Sequence, residues 1–257
     1  MTPKEASRKA WAEMKQKPFK ERLAYFWDYY KWHTLAVLAL VIVAISYTVS
    51  ILREPDYKAN GLLLNAYSYS NYEQIQANIQ SLADGFSKAE NLDDKNDEVN
   101  LDGSRVDYLD EENDAYNADT IQLILTYVAS ESLDFIIGDE DAMLELAYMQ
   151  MFQDLSSILN DEQLQKLDDS VLYIDMAVVE KREAALDQDL DTSDIVYPDP
   201  TKPESMEQPV PVFVRLAQSD KLNKIYTQPS EALVFGFTSH NQGGYAEAFL
   251  NYLLDND

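Results

Sequence analysis

Histidine and carboxylate side chains are the groups in this chain that could carry acid–base chemistry. The sequence contains two histidines, His33 and His240, together with 46 acidic residues and no cysteine. Because cysteine is absent, a thiol nucleophile, a disulfide framework and a cysteine-ligated zinc or iron–sulfur site are excluded. A catalytic triad would need His240, yet the Asn241-Gln242-Gly243-Gly244 run beside it is typical of a turn.

Sequence motifs that would place such groups for catalysis are missing as well. The chain has no nucleophile elbow, phosphate loop, dinucleotide fingerprint or HExxH motif. Carboxylate pairs of the kind that hydrolyse glycosides carry no information here, because so many acidic residues make chance pairs inevitable. We therefore predict no catalytic residues and no enzyme activity.

The densest run of carboxylates lies between Asp93 and Asp119 and raises the question of calcium binding. When Asp102 and Gly103 are placed at the fifth and sixth positions of an EF-hand loop, Leu109 stands where the bidentate glutamate is required. The spacing favours a solvated acidic loop over a specific metal site. We expect no metal and no cofactor.

Polar residues at the ends of predicted strands are the candidates for binding a small molecule. In parallel sheets, ligands lie beyond the carboxyl ends of strands, where helix N-termini present free N–H groups. All of these residue types are also common caps or turn formers, so that structural interpretation stays open for each. The candidates are Asn65, Tyr67 and Ser70 after the first strand, Gly138 and Asp139 after the third, and Ser239 and Asn241 in the last turn.

The elements that would position these residues alternate between strand and helix. Such alternation predicts a parallel sheet with helices on its faces, and thus the α/β class with three layers. The predicted elements are a strand in GLLLNAYS, a helix opening at a Ser70–Glu73 capping box, a strand in EVNLDGSRVDYL, a helix capped by Asp119, a strand over Leu133–Ile137 and a helix with Met143, Leu144, Ala147 and Met151 facing inward.

The C-terminal part of the chain predicts more strands than helices. We expect strands in VLYIDMAVV, VFVRLA and ALVFGFT, an extended proline-rich loop in YPDPTKPESMEQPVP, and a last amphipathic helix from Tyr245 to Leu253.

An uncharged run of 19 residues, Thr34 to Leu52, marks the N-terminal part of the chain. At about 1.5 Å per residue it reaches roughly 28 Å, close to the hydrocarbon thickness of a bilayer. We predict a transmembrane helix over 33–52, and we favour an uncleaved anchor over a signal peptide because a long segment precedes the run. The segment before it holds eight basic and four acidic residues, which predicts a cytoplasmic N-terminus.

Six aromatic residues lie immediately before this run. Amphipathic rings prefer the headgroup region, so we expect them at the inner membrane interface. They are Tyr25, Phe26, Trp27, Tyr29, Tyr30 and Trp32.

These features divide the chain into four predicted parts. They are a basic and aromatic segment over 1–32, the membrane helix over 33–52, a connector over 53–60 and an acidic domain over 61–257 on the extracellular side of the cell membrane. The formal net charge of −26 argues against a nucleic-acid partner, because binding phosphate requires clustered Lys and Arg.

Three segments of the predicted domain carry a family resemblance: the LLLNA strand with its helix, ESLDFIIGDEDAMLELAYMQMFQDLSSIL, and GFTSHNQGGYAEAFLNYLL. Over residues 60–257 their order resembles the first lobe of extracellular solute-binding proteins, which have the type 2 periplasmic-binding-protein fold. The resemblance implies a reduced, anchored binding domain. Residues 171–237 predict three strands and a loop, without a long helix for a second lobe.

We therefore expect a noncatalytic binding or interaction module, anchored in the bacterial cell envelope. Its expected partners are the lipid bilayer, a small solute, or another membrane or envelope protein. The alternative is a structural or regulatory envelope protein that acts through a membrane-protein partner, and an anchored hydrolase ranks third.

Overall fold

The computed structural model describes residues 18–52, 56–66, 71–93, 96–106, 108, 114–188, 190–192, 194–216, 219–226, 233–238 and 244–255. The chain divides into two compact units, Met1–Glu54 and Pro55–Asp257, and each is described by itself.

One long helix, α1, makes up the described part of the first unit. It runs over Phe19–Leu52, and its 34 residues correspond to about 51 Å of helix. The window Lys31–Thr48 has a mean hydropathy of 1.5 and none of it is buried. The Thr48 hydroxyl donates to the Ala44 carbonyl oxygen at 2.8 Å, which satisfies it within the helix. By length and composition, α1 can cross a membrane.

The predicted aromatic segment lies on this same helix. The side chains of Trp27 and Trp32 are 57% and 73% exposed. The side chains of Tyr25, Phe26, Tyr29 and Tyr30 lie outside the described residues.

The second unit is built on a six-stranded sheet with the order β2-β1-β3-β6-β5-β4. β1 pairs in parallel with β2 and with β3, whereas the pairs β3–β6, β6–β5 and β5–β4 are antiparallel. The strands are β1 (Asp56–Leu63), β2 (Asp97–Asp102), β3 (Phe135–Asp139), β4 (Val171–Asp175), β5 (Pro209–Arg215) and β6 (Leu233–Phe237).

Helices connect or flank these strands. The α-helices are α2 (Tyr72–Ala89), α3 (Asp114–Ala129), α4 (Glu140–Ala147), α5 (Asp161–Leu167), α6 (Met176–Leu186) and α7 (Tyr245–Leu254), and short 3₁₀ helices cover Leu155–Ser157, Asp168–Ser170 and Pro203–Ser205. The order β1-α2-β2-α3-β3 gives the parallel half of the sheet its crossover connections.

Two hydrophobic clusters pack on the strands, because successive strand residues point to opposite faces. Leu63 joins the cluster that contains residues of α2 and α7, while Leu62 and Leu64 join the cluster that contains residues of α3, α4 and α6. In the first cluster, the Phe135 ring stacks on Phe235 at 4.8 Å and on Phe249 at 4.7 Å between centroids. The inner strands β3 and β6 are buried on both faces and are therefore apolar runs, whereas the edge strand β2 alternates between buried and exposed residues.

The predicted α/β class is confirmed. The parallel pairing predicted from residues 61–152 is found in β1, β2 and β3. The later strands, for which the sequence predicted no pairing direction, join antiparallel and make the sheet as a whole mixed. The strand predicted in VLYIDMAVV ends at Asp175, and the helix α6 begins at Met176. The Asp175 carboxylate accepts a bond from Ala177 N at 3.1 Å, which caps this helix. A short apolar run does not by itself separate a strand from a buried helix turn.

Three predicted boundaries also shift. β1 starts at Asp56, inside the segment predicted as a connector. The cap of α2 is Asn71, whose side chain accepts from Gln74 N at 2.9 Å. α3 begins at Asp114, so Asp119 lies inside the helix and does not cap it.

Candidate functional site

The carboxyl ends of β1 and β3 meet at one edge of the sheet. The two strands are adjacent and parallel, with Leu63 opposite Ile137, and the chain leaves β1 toward β2 on the other side. This reversal of strand order is the position at which open α/β sheets bind ligands. Asn65, Gly138 and Asp139, which the sequence predicts as ligand-binding residues, come together here, and we call this place the edge site.

Asn65 is the most heavily bonded side chain of the edge site. Its Nδ2 donates to the Asp139 carboxylate at 2.6 Å and to the Tyr108 carbonyl oxygen at 3.2 Å, while its Oδ1 accepts from Tyr108 N at 2.8 Å. Its backbone has a φ of 56°, in the left-handed region that asparagine tolerates better than most residues. Asn65 therefore fastens the segment after β2 to the ends of β1 and β3.

Asp139 and Gly138 complete this junction. The Asp139 side chain caps α4 by accepting from Ala142 N at 3.0 Å. A Cβ on Gly138 would lie 3.2 Å from Leu64 Cβ and 3.3 Å from Met143 Cγ, so a small residue suits this packing. The structural interpretation, as caps and turn formers, accounts for these contacts.

The other predicted ligand-binding residues are not placed. Tyr67, Ser70, Ser239 and Asn241 lie outside the described residues, as does His240.

Two ion pairs that the sequence did not predict flank the edge site. Arg215, at the end of β5, bonds to Glu140 at 2.8 Å, and Arg182 of α6 bonds to Glu145 at 2.8 Å. The Arg182 side chain is only 13% exposed. The acidic residues sit on α4, directly after Asp139, but their partners come from distant parts of the chain, so no local pattern signals these pairs.

A buried phenol lies beside the second ion pair. Tyr108 is 3% exposed, and its hydroxyl has no hydrogen-bond partner among the described residues. Burial raises the pKa of Tyr108 to about 12, and the nearby charges of Glu145 and Asp139 raise this pKa too, while Arg182 opposes them. The Nη1 of Arg182 is a second buried group without a hydrogen-bond partner of normal geometry in the described part of the chain, while Tyr197 lies close to the same guanidinium.

A second phenol approaches the end of β3. The Tyr226 hydroxyl donates to the Ile137 carbonyl oxygen at 3.1 Å. Burial raises the pKa of Tyr226 well above its usual value, and Asp139 adds to this shift. Both phenols therefore stay protonated and uncharged at neutral pH.

The groups of the edge site are suited to donating and accepting hydrogen bonds. The carboxylates of Asp139, Glu140 and Glu145 are each bonded to a donor, while the Tyr108 hydroxyl and Arg182 Nη1 have no bonded acceptor among the residues that the structure describes. Within the described ranges, no group of three or more His, Cys, Asp or Glu residues is placed to hold a metal ion. Such an arrangement suits a polar ligand with acceptor oxygens.

Comparisons with protein-family models, with curated proteins and with solved structures found no match.

Proposed function

We propose that this protein is a membrane-anchored, extracytoplasmic and noncatalytic binding module whose ligand is a polar solute held at the edge site. The observation that carries the proposal is that two buried donors, for which the described residues provide no acceptor, lie beside the reversal of strand order at which open α/β sheets bind ligands. In native proteins such buried donors are usually satisfied by water or a ligand.

The charge balance of the edge site supports binding over catalysis. Asp139 accepts two hydrogen bonds, and Glu140 and Glu145 form ion pairs, so each carboxylate already has a partner within the protein. A general acid or base must lie within hydrogen-bond reach of the proton that it transfers, whereas these carboxylates are bonded to donors of the protein itself. A solute with carbonyl or carboxylate oxygens would take up the free donors of Tyr108 and Arg182.

The proposed anchoring rests on α1. None of its window Lys31–Thr48 is buried, and an apolar helix of this length can span the hydrocarbon core of a bilayer. The basic excess before residue 34 supports a cytoplasmic N-terminus and, with it, an extracytoplasmic position for Pro55–Asp257.

The strand order supports the resemblance to one lobe of a solute-binding protein as part of this proposal. The sheet begins with the order β2-β1-β3 in parallel, which is how doubly wound binding domains start. An 11-residue helix, α6, follows β4, yet the second half of the chain adds its strands to the same sheet. We propose a binding domain of one lobe, which does not close on its ligand like a clamp.

A thermal-shift screen of the full chain in lipid nanodiscs tests the binding function. Amino acids, short peptides, dicarboxylates and small oligosaccharides serve as probes, and we expect at least one class to raise the melting temperature in proportion to its concentration. Tyr108→Phe should weaken that binding about tenfold. Tyr72→Phe is the matched control, since Tyr72 is 64% exposed on α2, and it should change nothing.

Two results of this screen would contradict the proposal. One is the absence of any stabilising probe at millimolar concentration. The other is a probe that is chemically changed after incubation, which would indicate an enzyme.

The topology is tested on intact cells. Protease added from outside should remove the chain after Leu52 and spare a tag at residue 1. A protected Pro55–Asp257 unit would show that the orientation is wrong, and a mature chain beginning near Ser50 would show cleavage.

The exposure of two tryptophans on α1 favours a second candidate function, namely regulation through another membrane protein. Trp27 and Trp32 present 57% and 73% of their surface. A photo-crosslinking amino acid at position 27 or 32 should then capture one defined protein in cells, whereas the same residue at position 45, within the apolar run, should capture lipid. Equal capture at all three positions would remove this candidate.

A further inference from the structure

A groove of about 350 Å³ lies on the sheet beside α3, and it shares no residue with the edge site. Its volume falls in the range of roughly 300–1,000 Å³ that small-molecule sites occupy. The polar and aromatic residues that line it are Tyr57, Asn60, Asn100, Asp102, Tyr127 and Ser132. We call this place the sheet groove.

The floor of the sheet groove follows from strand pairing. Asn100 lies opposite Asn60, and Asp102 lies opposite Leu62, so these four residues share one face of the sheet. Val99 and Leu101 point to the other face and are buried. β2 is an edge strand, and on the groove side Asn100 remains exposed and Asp102 half-buried.

Hydrogen bonds hold the Asn60 side chain in the sheet groove, next to a register shift in β1. The shift lies between Tyr57 and Ala59, and such bulges redirect the side chains around them. The buried Asp134 carboxylate accepts from Asn60 N at 2.7 Å, and the Asn60 side chain donates to the Ser132 carbonyl oxygen. Asn100 Nδ2 then donates to Asn60 Oδ1 at 2.7 Å. Asn60 is thus held in place before any ligand arrives.

The groups left for a ligand are planar and uncharged, apart from one carboxylate. The carbonyl oxygen of Asn100 is not used in its bond to Asn60, and one oxygen of Asp102 accepts from Ser104 N at 2.8 Å, while the other has no bond to the described residues. Two tyrosine rings border these acceptors: Tyr57 is 44% exposed and Tyr127 is half-buried. Tyrosine offers an apolar ring face together with a polar hydroxyl.

This combination selects one class of ligand. Sugar hydroxyls each donate and accept a hydrogen bond, which matches amide and carboxylate side chains, and the C–H faces of a sugar ring pack on aromatic rings. The described lining contains no Lys or Arg to bind an anion. Asp134 is already committed to Asn60, which leaves Asp102 as the sole remaining carboxylate of the described lining and disfavours a cation. We propose that the sheet groove binds a neutral saccharide.

The first test is an array of neutral and acidic oligosaccharides probed with the full chain in nanodiscs. Neutral glycans should be retained and acidic ones should not. The best neutral trisaccharide is then titrated by calorimetry. We expect Tyr57→Ala and Asn100→Ala each to weaken its binding at least tenfold.

Two variants serve as matched controls. Tyr72→Ala and Asn251→Ala remove the same side chains from exposed positions of α2 and α7, and they should leave saccharide binding unchanged. Tyr108→Phe should also leave it unchanged, which separates the sheet groove from the edge site.

Several outcomes would overturn the proposal. They are the absence of binding to any neutral glycan at millimolar concentration, retention of acidic glycans alone, and binding that survives both Tyr57→Ala and Asn100→Ala. Saccharide binding that is lost in Tyr108→Phe but kept in Asn100→Ala would place the sugar at the edge site. Melting curves of each variant show that it is folded before its binding is compared.

Discussion

The two halves of the sheet use polar side chains in different ways. In the parallel half, β2-β1-β3, Asn65 and Asp139 bond to each other from the ends of two strands. In the antiparallel half, β6-β5-β4, the buried Asp175 instead accepts three backbone N–H groups, from Ala177 at 3.1 Å and from Glu207 and Gln208 at 2.9 Å each.

The two halves therefore differ in whether their polar groups are all bonded within the described residues. Both carboxylate oxygens of Asp175 accept hydrogen bonds from nearby backbone N–H groups, so Asp175 holds β4, α6 and the start of β5 together. Around the edge site, the Tyr108 hydroxyl and Arg182 Nη1 remain without partners in the described residues. The proposed ligand position therefore lies at the ends of the parallel strands, and the antiparallel half contributes Arg182 from α6.

The largest effect is expected for Asn65→Ala. The change leaves the Tyr108 backbone N–H and carbonyl without their partner, at roughly 1–3 kcal/mol for each buried group. Alanine also tolerates the φ of 56° poorly, at about 1–2 kcal/mol. We expect the free energy of unfolding to fall by about 3–5 kcal/mol in urea denaturation of the full chain in detergent, followed by circular dichroism.

Two further variants separate the contributions to this loss. Asn65→Gly keeps the left-handed backbone, so it should lose only the hydrogen-bond part. Asn91→Ala removes an exposed asparagine with a φ of 54° and should show the backbone part alone. If Asn65→Ala lowered the free energy of unfolding no more than Asn91→Ala does, the hydrogen bonds of Asn65 would not stabilise the edge site.

The next effect belongs to the antiparallel half. Asp175→Asn replaces the charged acceptor of three N–H bonds with an amide, and bonds to charged groups contribute about 1.5–3 kcal/mol. We expect a loss of about 2–3 kcal/mol at pH 7 in the same denaturation experiment. Asp169→Asn, at an exposed aspartate in the turn before β4, should change stability by less than about 0.5 kcal/mol.

The stability difference between wild type and Asp175→Asn should also depend on pH, in a direction set by the pKa of Asp175. Burial would raise the pKa of Asp175, but the N–H donors of Glu207, Gln208 and Ala177 outweigh it and lower this pKa below its usual value. The carboxylate therefore contributes stability at pH values above the unfolded pKa of about 3.9, and this contribution is lost as the pH falls through the lower folded pKa. The gap between wild type and Asp175→Asn should narrow below about pH 4, and a gap that widens there would contradict this account.

The sequence predicts the parallel half better than the antiparallel half, for local reasons. β3 and α2 each carry a hydrophobic pattern bounded by turn or capping residues, so their positions follow from neighbouring residues. The antiparallel pairing of β4 with β5 depends on contacts between Val171 and Val214 and between Asp175 and Pro209, which are far apart in the chain. No local pattern specifies such pairs, which is why the sequence predicts these strands but not the direction in which they pair.

The same division applies to the edge site. Asn65, Gly138 and Asp139 follow strands, so their position could be predicted from the strand pattern and from parallel pairing. The ion pairs of Arg182 and Arg215 join residues 37 and 75 positions apart. The unpartnered hydroxyl of Tyr108 depends on what packs around it. Both features follow from tertiary packing and are absent from the sequence pattern.

One glycine in each half of the sheet allows the rigidity of the packing in the two halves to be compared. A Cβ on Gly61 of β1 would meet the Phe135 ring, and a Cβ on Gly236 of β6 would lie 2.6 Å from Phe152 and 2.7 Å from Phe213. Phe135 is held between two other rings, whereas Phe152 is half-buried and can shift. We expect Gly61→Ala to lose about 2–3 kcal/mol and Gly236→Ala about 1–2 kcal/mol, by the same measurement. The reverse order would mean that the antiparallel half is the more rigid one.

The smallest effect is expected for Tyr108→Phe, which tests whether the edge site is built for a ligand. The Tyr108 hydroxyl is buried without a partner among the described residues, so removing it breaks no hydrogen bond and relieves a desolvation penalty. Without ligand, we expect stability to stay within about 0.5 kcal/mol of wild type or to rise slightly. Wild-type absorbance at 295 nm should retain a tyrosine component that titrates near pH 12, and Tyr108→Phe should lack it. A loss of more than about 1 kcal/mol would show that the hydroxyl is bonded within the protein, and the argument for a ligand at the edge site would lose its main support.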